Sequence, residues 1–107
     1  MKTLKKPDWV DVGGGVKRRI VADGAHLMQV EVFFSPGAEG ALHSHPHEQT
    51  TVVLEGGGVY YVEDVKHSLR AGDVIHVPPN ACHGFIAIPD QETVLLDTFS
   101  PPREDFR

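Results

Sequence analysis

The amino-acid sequence predicts an all-β fold, a barrel or sandwich built from short strands. Its 11 glycines and 8 prolines are spread between short segments rich in β-branched and aromatic residues, a pattern typical of such folds. No long stretch repeats apolar residues at helical spacing. In residues 28–34, apolar side chains share one face of an extended chain, while Gln29 and Glu31 share the other. This alternation predicts a half-buried strand.

Turn-forming residues divide the chain into the predicted strands. The Gly13–Gly15 run is interpreted as a turn rather than a phosphate loop, because no helix follows it. Glu63–Asp64 predicts a tight hairpin. Pro101 and Pro102 lack the N–H that a central strand needs, so a tail is predicted there. Strands are expected near Lys17–Ala22, Leu27–Phe34, Gln49–Glu55, Gly58–Val62, Lys66–Leu69, Asp73–Val77, His83–Ile88 and Thr93–Thr98.

Length and charge limit the classes of protein to consider. The 107 residues suit one domain over 1–107, with the barrel at roughly 16–99 and the tail at 100–107. A formal net charge of −5 and scattered basic residues argue against a nucleic-acid partner. No apolar run is long enough to cross a bilayer, so no membrane span is expected.

The N-terminus and the cysteine content indicate a cytoplasmic protein. The basic segment 1–6 is followed by Pro7, Asp8 and Trp9 rather than by the apolar core of a signal peptide. The single cysteine, Cys82, cannot form an internal disulfide and agrees with a reducing compartment. We expect Cys82 to be a small buried side chain rather than a reactive thiol.

Two blocks of the sequence contain histidines, a residue type that often binds metal ions in proteins. His43 and His45 are separated by one residue, so on an extended segment both imidazoles project to the same side. The block from Gly72 to His83 delivers His83 at the start of a strand, and a closed barrel brings such distant strands together. The histidine cluster alone is equally compatible with an exposed polar loop. The second block favours a metal site.

These two blocks resemble the two motifs of the cupins. The first has Gly37, five residues, the His43–His45 pair, a spacer, a polar residue, six residues and Gly56. The second has a glycine, a proline turn and a single histidine, with Asn80 where the family has glycine. The resemblance implies a small single-domain cupin, that is, a double-stranded β-helix or jelly-roll barrel, with one divalent metal ion.

In the cupin pattern, the usual glutamate ligand falls on Gln49. Glu48 is the alternative, but on an extended strand it should point away from the side that Gln49 occupies. The implied ligand set is therefore neutral, which leaves the ion a strong Lewis acid. Zinc, nickel, manganese and iron all suit these ligands, which are His43, His45, Gln49 and His83. His47 is expected beside the ligands or in solvent, and His26, His67 and His76 are treated as structural or solvated.

The likeness to one group of cupins covers nearly the whole chain. Trp9–Arg19, His43–Gln49 and Leu95–Phe106 resemble the pectin-degradation cupins of the KdgF type. The resemblance implies an enzyme that converts 4,5-unsaturated uronate monosaccharides, products of pectin and alginate breakdown, to their linear keto form without a redox step. It assigns Asp97 as the acid/base, Arg103 as the partner of the substrate carboxylate and Phe99 as a wall of the sugar pocket.

The residues themselves agree in part with these roles. Asp97 interrupts an apolar run, where a charge is costly unless it faces a polar cavity; the alternative is a strand-end carboxylate paired with a surface cation. Arg103 lies in a tail that can fold over the barrel mouth, or that is simply solvated. Phe99 is alternatively a core residue.

Two other functions stay open on the sequence, together with the oligomeric state. Three histidines and open metal positions also suit a cupin dioxygenase, and a non-catalytic sugar-binding or sensor cupin is the third hypothesis. A homodimer is expected by analogy, because pairing hides sheet edges.

Overall fold

A computed structural model describes residues 5–107, and within them nearly all regular structure is β-strand. A 3-10 helix covers Glu104–Phe106. The part of the chain described contains no helix with the length and hydrophobicity that a membrane crossing requires. The strands are β1 (Val10–Gly13), β2 (Val16–Asp23), β3 (Met28–Phe34), β4 (Glu39–His43), β5 (Glu48–Glu55), β6 (Gly57–Val62), β7 (Val65–Arg70), β8 (Val74–Val77), β9 (His83–Ala87) and β10 (Thr93–Ser100).

The strands form two antiparallel sheets that enclose a common interior. The larger sheet has the order β1-β2-β3-β10-β5-β8 and the smaller one β4-β9-β6-β7. β10 lies in the middle of the larger sheet, with Leu95 paired to Val32 of β3 and to Val53 of β5. The predicted fold class is therefore confirmed: the chain forms an all-β, double-stranded barrel.

Strands β1 and β4 are absent from those that the sequence predicts. The turn interpretation of the glycine run is right, since Gly14 and Gly15 link β1 to β2. β4 contains Glu39-Gly40-Ala41-Leu42, which lacks β-branched residues, and most of its side chains are exposed. It is a strand because β9 supplies hydrogen-bond partners, which is a tertiary effect that local composition does not reveal.

Two turn positions explain features of the sequence blocks. Gly56 has a φ of 78°, and a Cβ there would lie 2.4 Å from the carbonyl oxygen of Glu92, so only glycine fits. Asn80 has a φ of 66°, and it takes the left-handed conformation that the family's glycine would take. The Glu63–Asp64 hairpin is also confirmed, between β6 and β7.

Apolar side chains from both sheets fill the interior. The rings of Phe34 and Phe85 meet edge to face, with centroids 5.0 Å apart, and link the two sheets. The larger apolar cluster consists of Phe34, Val53, Tyr60, Ile75, Val77, Ala81, Phe85, Ala87 and Leu95. A smaller cluster consists of Met28, Val30 and Phe99, and Phe106 of the tail packs against it.

Glu31 lies on the outer face of β3, where a polar side chain is expected to be exposed to solvent, but it is not exposed. It is buried beneath the N-terminal segment and accepts hydrogen bonds from Lys6 Nζ at 2.9 Å and from Arg19 Nε at 2.8 Å. The guanidinium of Arg19 also stacks on the ring of Trp9. Alternation along β3 predicts which face Glu31 occupies, but not that other residues cover this face.

Candidate active site

The structure brings His43, His45 and His83 together at one end of the barrel. His43 ends β4, His45 lies in the following loop, and His83 begins β9 directly opposite His43. One ring nitrogen from each residue lies within 4.8 Å of those from the other two. His45 and His83 are buried, while His43 is exposed at the rim. The three histidines are therefore positioned to bind a metal ion.

Backbone carbonyls orient all three imidazoles. The Nδ1 atoms lie 2.9, 3.1 and 2.8 Å from the carbonyl oxygens of Ala41, His47 and Ala81, for His43, His45 and His83 respectively. A carbonyl only accepts hydrogen bonds, so these contacts assign the proton to Nδ1 and leave the lone pair on Nε2. Nε2 of His83 is buried and has no hydrogen-bond partner among residues 5–107. A buried lone pair without a donor fits a site for a cation.

Gln49 reaches the same point from β5. Its Oε1 atom lies 2.9 Å from Nε2 of His45, and its Nε2 atom donates to Thr51 Oγ1 at 3.0 Å and to the Tyr60 hydroxyl at 3.1 Å. With the proton of His45 on Nδ1, the 2.9 Å contact joins two lone pairs, which a shared cation would stabilise. Three imidazoles and one amide oxygen fit a divalent transition metal.

Glu48, the alternative ligand, lies outside the site. Its side chain is exposed, and its Oε2 atom is 2.7 Å from Nε2 of His76 on β8. The structure thus places Gln49, not Glu48, beside the histidines, as strand alternation predicts. His76 is solvent-exposed, as expected, but it has this acidic partner.

Burial favours the neutral form of the two inner imidazoles. Burial lowers the pKa of His45 to about 4, and the positive charge of Arg103 acts in the same direction. Burial is also the main reason that the pKa of His83 is lowered, against the raising effect of its contact with Ala81 O. Neutral imidazoles are the form that binds metal ions.

A cavity of about 380 Å³ opens beside the histidines and extends toward β10 and the tail. This volume lies in the range typical of small-molecule sites. Apolar side chains form much of its wall, including Phe34, Phe85 and Leu95. The polar and charged lining residues are Arg18, His43, Gln49, Tyr60, His83, Asp97, Arg103 and Asp105.

Asp97 faces this cavity from the middle of β10. It pairs with Val30 of β3 and with Thr51 of β5, so it is not at a strand end, and it accepts a hydrogen bond of 2.6 Å from Thr51 Oγ1. Burial raises the pKa of Asp97 to about 6, although the Thr51 hydrogen bond and the charge of Arg103 act in the opposite direction. A carboxyl group with such a pKa exchanges protons readily near neutral pH.

Arg103 is buried, with 7% of its surface exposed, so the solvated-tail alternative is wrong for this residue. Its guanidinium lies 5.0 Å from the ring centroid of Phe99 and 4.2 Å from that of Phe106. Phe99 is itself 2% exposed, and its ring centroid is 5.7 Å from that of His45. Phe99 is therefore both a core residue and part of the cavity wall.

Comparisons with known proteins agree with this geometry. Residues 30–99 match the family model of the cupin domain. The chain is 38% identical over 99 residues to the pectin degradation protein KdgF of Dickeya dadantii (strain 3937), which covers 92% of this chain and 89% of that protein. The chain belongs to the KdgF-type cupins.

Solved structures resemble this cupin over most of its length. The structure of KdgF from Halomonas sp. has a TM-score of 0.90 and 37% identity, and covers 94% of this chain and 92% of that one. An RmlC-like cupin from Shewanella frigidimarina has a TM-score of 0.88 and 42% identity, with 94% and 88% covered. The polyketide cyclase RemF from Streptomyces resistomycificus, at 24% identity and a TM-score of 0.80, shows the fold alone.

Several residues that line the cavity of this cupin or support its site cannot be identified from the resemblance and motifs alone. Thr51 lies two residues after Gln49 on β5, so the two side chains point to the same face of the strand. This alternation could have predicted that Thr51 lies at the site. Tyr60, Asp105 and Phe106 carry no local signal, because only the barrel and the folded tail bring them to the cavity.

Cys82 and His47 lie close in sequence to the three-histidine group. Cys82 is exposed, so the expectation of a buried side chain is wrong; it lies one residue before β9, where the chain still faces solvent. The ring centroid of His47 is 5.3 Å from that of His45, and its carbonyl orients that ring. His47 thus lies beside the ligands, as expected, and outside the three-histidine group.

Proposed function

We propose that this KdgF-type cupin converts 4,5-unsaturated uronate monosaccharides to their linear keto form by ring opening and tautomerisation, as a single domain spanning residues 1–107. The observation that supports the proposal most directly is that Asp97 and Arg103 line the same cavity as His43 and His83, two members of the three-histidine group. The reaction needs a proton-transfer group, a charge for the substrate carboxylate and an electrophile. The 38% identity to a pectin degradation protein supports the substrate class.

His43, His45, Gln49 and His83 would hold one divalent ion, with zinc, nickel, manganese and iron as candidates. When bound, the ion supplies a Lewis acid that polarises a substrate oxygen. The four ligands carry no negative charge, so the positive charge of the site stays available for an anionic substrate. The observation that supports this assignment is the buried Nε2 atom of His83, which has no hydrogen-bond partner among the residues that the structure describes.

Asp97 is proposed to move the proton. Ring opening removes the proton of the anomeric hydroxyl and breaks the bond between C1 and the ring oxygen, which leaves an aldehyde at C1 and an enolate at C5. Tautomerisation then adds a proton at C4 and forms the keto group. One proton leaves and one returns, so a single carboxyl group balances the reaction without a redox partner.

Arg103 and Phe99 are proposed to orient the sugar. The Arg103 guanidinium is buried at the cavity, where a charge-assisted hydrogen bond to a carboxylate is strong. The ring of Phe99 offers an apolar wall for a carbon face of the substrate. Both side chains come from the C-terminal end of the chain, so one segment, 97–103, carries the proposed proton-transfer and orienting residues.

The test is an assay with unsaturated uronate produced by a pectin lyase and an exo-acting glycosidase. The purified, metal-loaded protein should accelerate loss of the ultraviolet absorbance of the conjugated double bond, and Asp97→Ala should abolish the acceleration. Asp90→Asn, a change in an exposed loop, is the matched control and should behave as wild type. A wild-type rate equal to the protein-free rate would reject the proposal.

The same preparation separates the alternative functions. Oxygen uptake with the substrate would identify a dioxygenase, and uronate binding without conversion would identify a sugar-binding or sensor module. We also propose a homodimer, because β1, β8, β4 and β7 are sheet edges that a second copy can cover. The cytoplasmic location predicted from the sequence stays a proposal. Light scattering on the purified protein tests the oligomeric state.

A further inference from the structure

Arg103 is already bound to an acidic side chain of its own tail. Its Nε and Nη2 atoms donate to Asp105 Oδ1 and Oδ2 at 3.0 and 2.8 Å. This two-bond contact is the geometry that a guanidinium uses for a ligand carboxylate. The Nε–Nη2 edge of Arg103 is therefore occupied before any substrate enters, and the end of the guanidinium that carries Nη1 remains for a ligand.

Arg18 is a second guanidinium at the same cavity. On β2 it pairs with Val32 of β3, which pairs in turn with Leu95 of β10, and cross-strand partners point to the same face of a sheet. Leu95 and Asp97 share one face of β10 because they are two residues apart. Arg18 therefore points into the barrel, whereas its neighbours Lys17 and Arg19 point out.

Phe106 connects the two arginines. The guanidinium carbon of Arg18 lies 3.9 Å from the centroid of the Phe106 ring, and that of Arg103 lies 4.2 Å from it. Such cation–π contacts hold a guanidinium plane in place. Both charges are thus kept at one side of the cavity, within reach of the same small ligand.

The charge of Arg18 has no acidic partner of its own in the described part of the chain. Asp105 is the acidic group that acts on it, but both oxygens of Asp105 are used by Arg103. Arg18 is also half-buried, and its pKa is lowered by that burial. A partly desolvated guanidinium without a carboxylate is destabilising, and an anionic ligand would offset that cost.

We propose that Arg18 is the main anchor for the substrate carboxylate, with the free Nη1 side of Arg103 as its partner. This inference rests on the proposed function and refines it. Asp105 then acts as a positioning residue that holds Arg103, and Arg18 gives this cupin its preference for sugar acids over neutral sugars.

Arg18→Gln should raise the KM for unsaturated uronate about 10- to 100-fold, the effect expected from loss of a charge-assisted hydrogen bond. We expect kcat to change less than about threefold, because Asp97 and the metal ligands are untouched. Arg18→Lys keeps the charge without the planar fork and should give an intermediate KM. Lys17→Gln removes the same charge from the outer face of β2 and should leave KM unchanged.

Calorimetry with saturated D-galacturonate and D-galactose provides a readout that needs no turnover. Wild type should bind the acid more tightly than the neutral sugar, and Arg18→Gln should lose most of that difference while it keeps its metal content and circular dichroism spectrum. Equal acid binding by wild type and Arg18→Gln, or no acid preference in wild type, would overturn the inference. If wild type fails to convert unsaturated uronate but Arg18→Gln still loses acid binding, the proposed reaction is wrong and the anchor stands.

Discussion

The hydroxyl group of Thr51 donates a hydrogen bond to Asp97, with 2.6 Å between Oγ1 and Oδ1. Its hydrogen is thereby used, so Thr51 can only accept the bond that comes from Nε2 of Gln49 at 3.0 Å. The amide nitrogen of Gln49 is thus turned toward Thr51, and its oxygen toward His45. One threonine links the proposed acid/base to the proposed metal ligand.

Thr51→Val should weaken metal binding about 10-fold, because the amide nitrogen of Gln49 loses one of the two acceptors, Thr51 and Tyr60, that turn its oxygen toward the histidines. Valine has nearly the shape of threonine, so the barrel should fold. Competition against a chromogenic chelator measures the affinity. Thr51→Ser restores the hydroxyl and should recover wild-type affinity; equal affinities for Thr51→Val and wild type would show that Thr51 does not orient Gln49.

His83→Ala should lose the bound metal, since its Nε2 atom is a buried lone pair without a hydrogen-bond partner in the described part of the chain. Wild-type protein treated with a chelator should melt at a lower temperature and recover when metal returns, because a ligand at 100 times its Kd stabilises by about 3 kcal/mol. The His83→Ala protein should not respond to added metal. His76→Ala, which removes an exposed partner of Glu48, is the control and should respond like wild type.

Asp97→Asn should stabilise the metal-free protein at neutral pH. The folded-state pKa of Asp97, about 6, is above its ordinary value of 3.8, so ionisation costs folding energy as the pH rises from about 4 through 6. We expect a gain of about 1–2 kcal/mol in the free energy of unfolding at pH 7, and almost none at pH 3.5. Urea unfolding at the two pH values checks this; the same gain at both would exclude titration of Asp97 as its cause.

Glu31→Gln should destabilise the protein at neutral pH and have little effect in acid. Burial raises the pKa of Glu31, but its hydrogen bonds to Lys6 and Arg19 and their charges outweigh burial and lower it below 4.5. The stabilisation is therefore complete above pH 4.5 and is lost as the pH falls through the folded-state pKa.

Urea unfolding should give a loss of about 1–2 kcal/mol for Glu31→Gln at pH 7, which diminishes toward pH 3. Glu55→Gln alters an exposed carboxylate at the end of β5 and should change stability little at either pH. A pH-independent loss for Glu31→Gln would mean that packing, rather than the ion pairs, stabilises this position.

Much of the candidate site can be predicted from short stretches of the sequence. Side chains alternate between the two faces of an extended chain, so the sequence predicts that His43 and His45 project to the same side. The same alternation favours Gln49 over Glu48. The placement of Asp97 on a cavity follows from the cost of burying a charge in an apolar strand. Such features depend only on neighbouring residues, so the order of the amino acids is enough to predict them.

The amino-acid sequence is enough to predict the all-β class, most of the strands, the two cupin blocks and the residues grouped at the proposed metal site. Three relationships emerge only when the chain is folded: Asp105 binds the guanidinium of Arg103, Arg18 faces the same cavity, and Thr51 accepts a hydrogen bond from the amide of Gln49. These contacts join β2, β5, β10 and the tail. Their partners are set by strand register and by the path of the tail, which are properties of the folded barrel and not of any local segment.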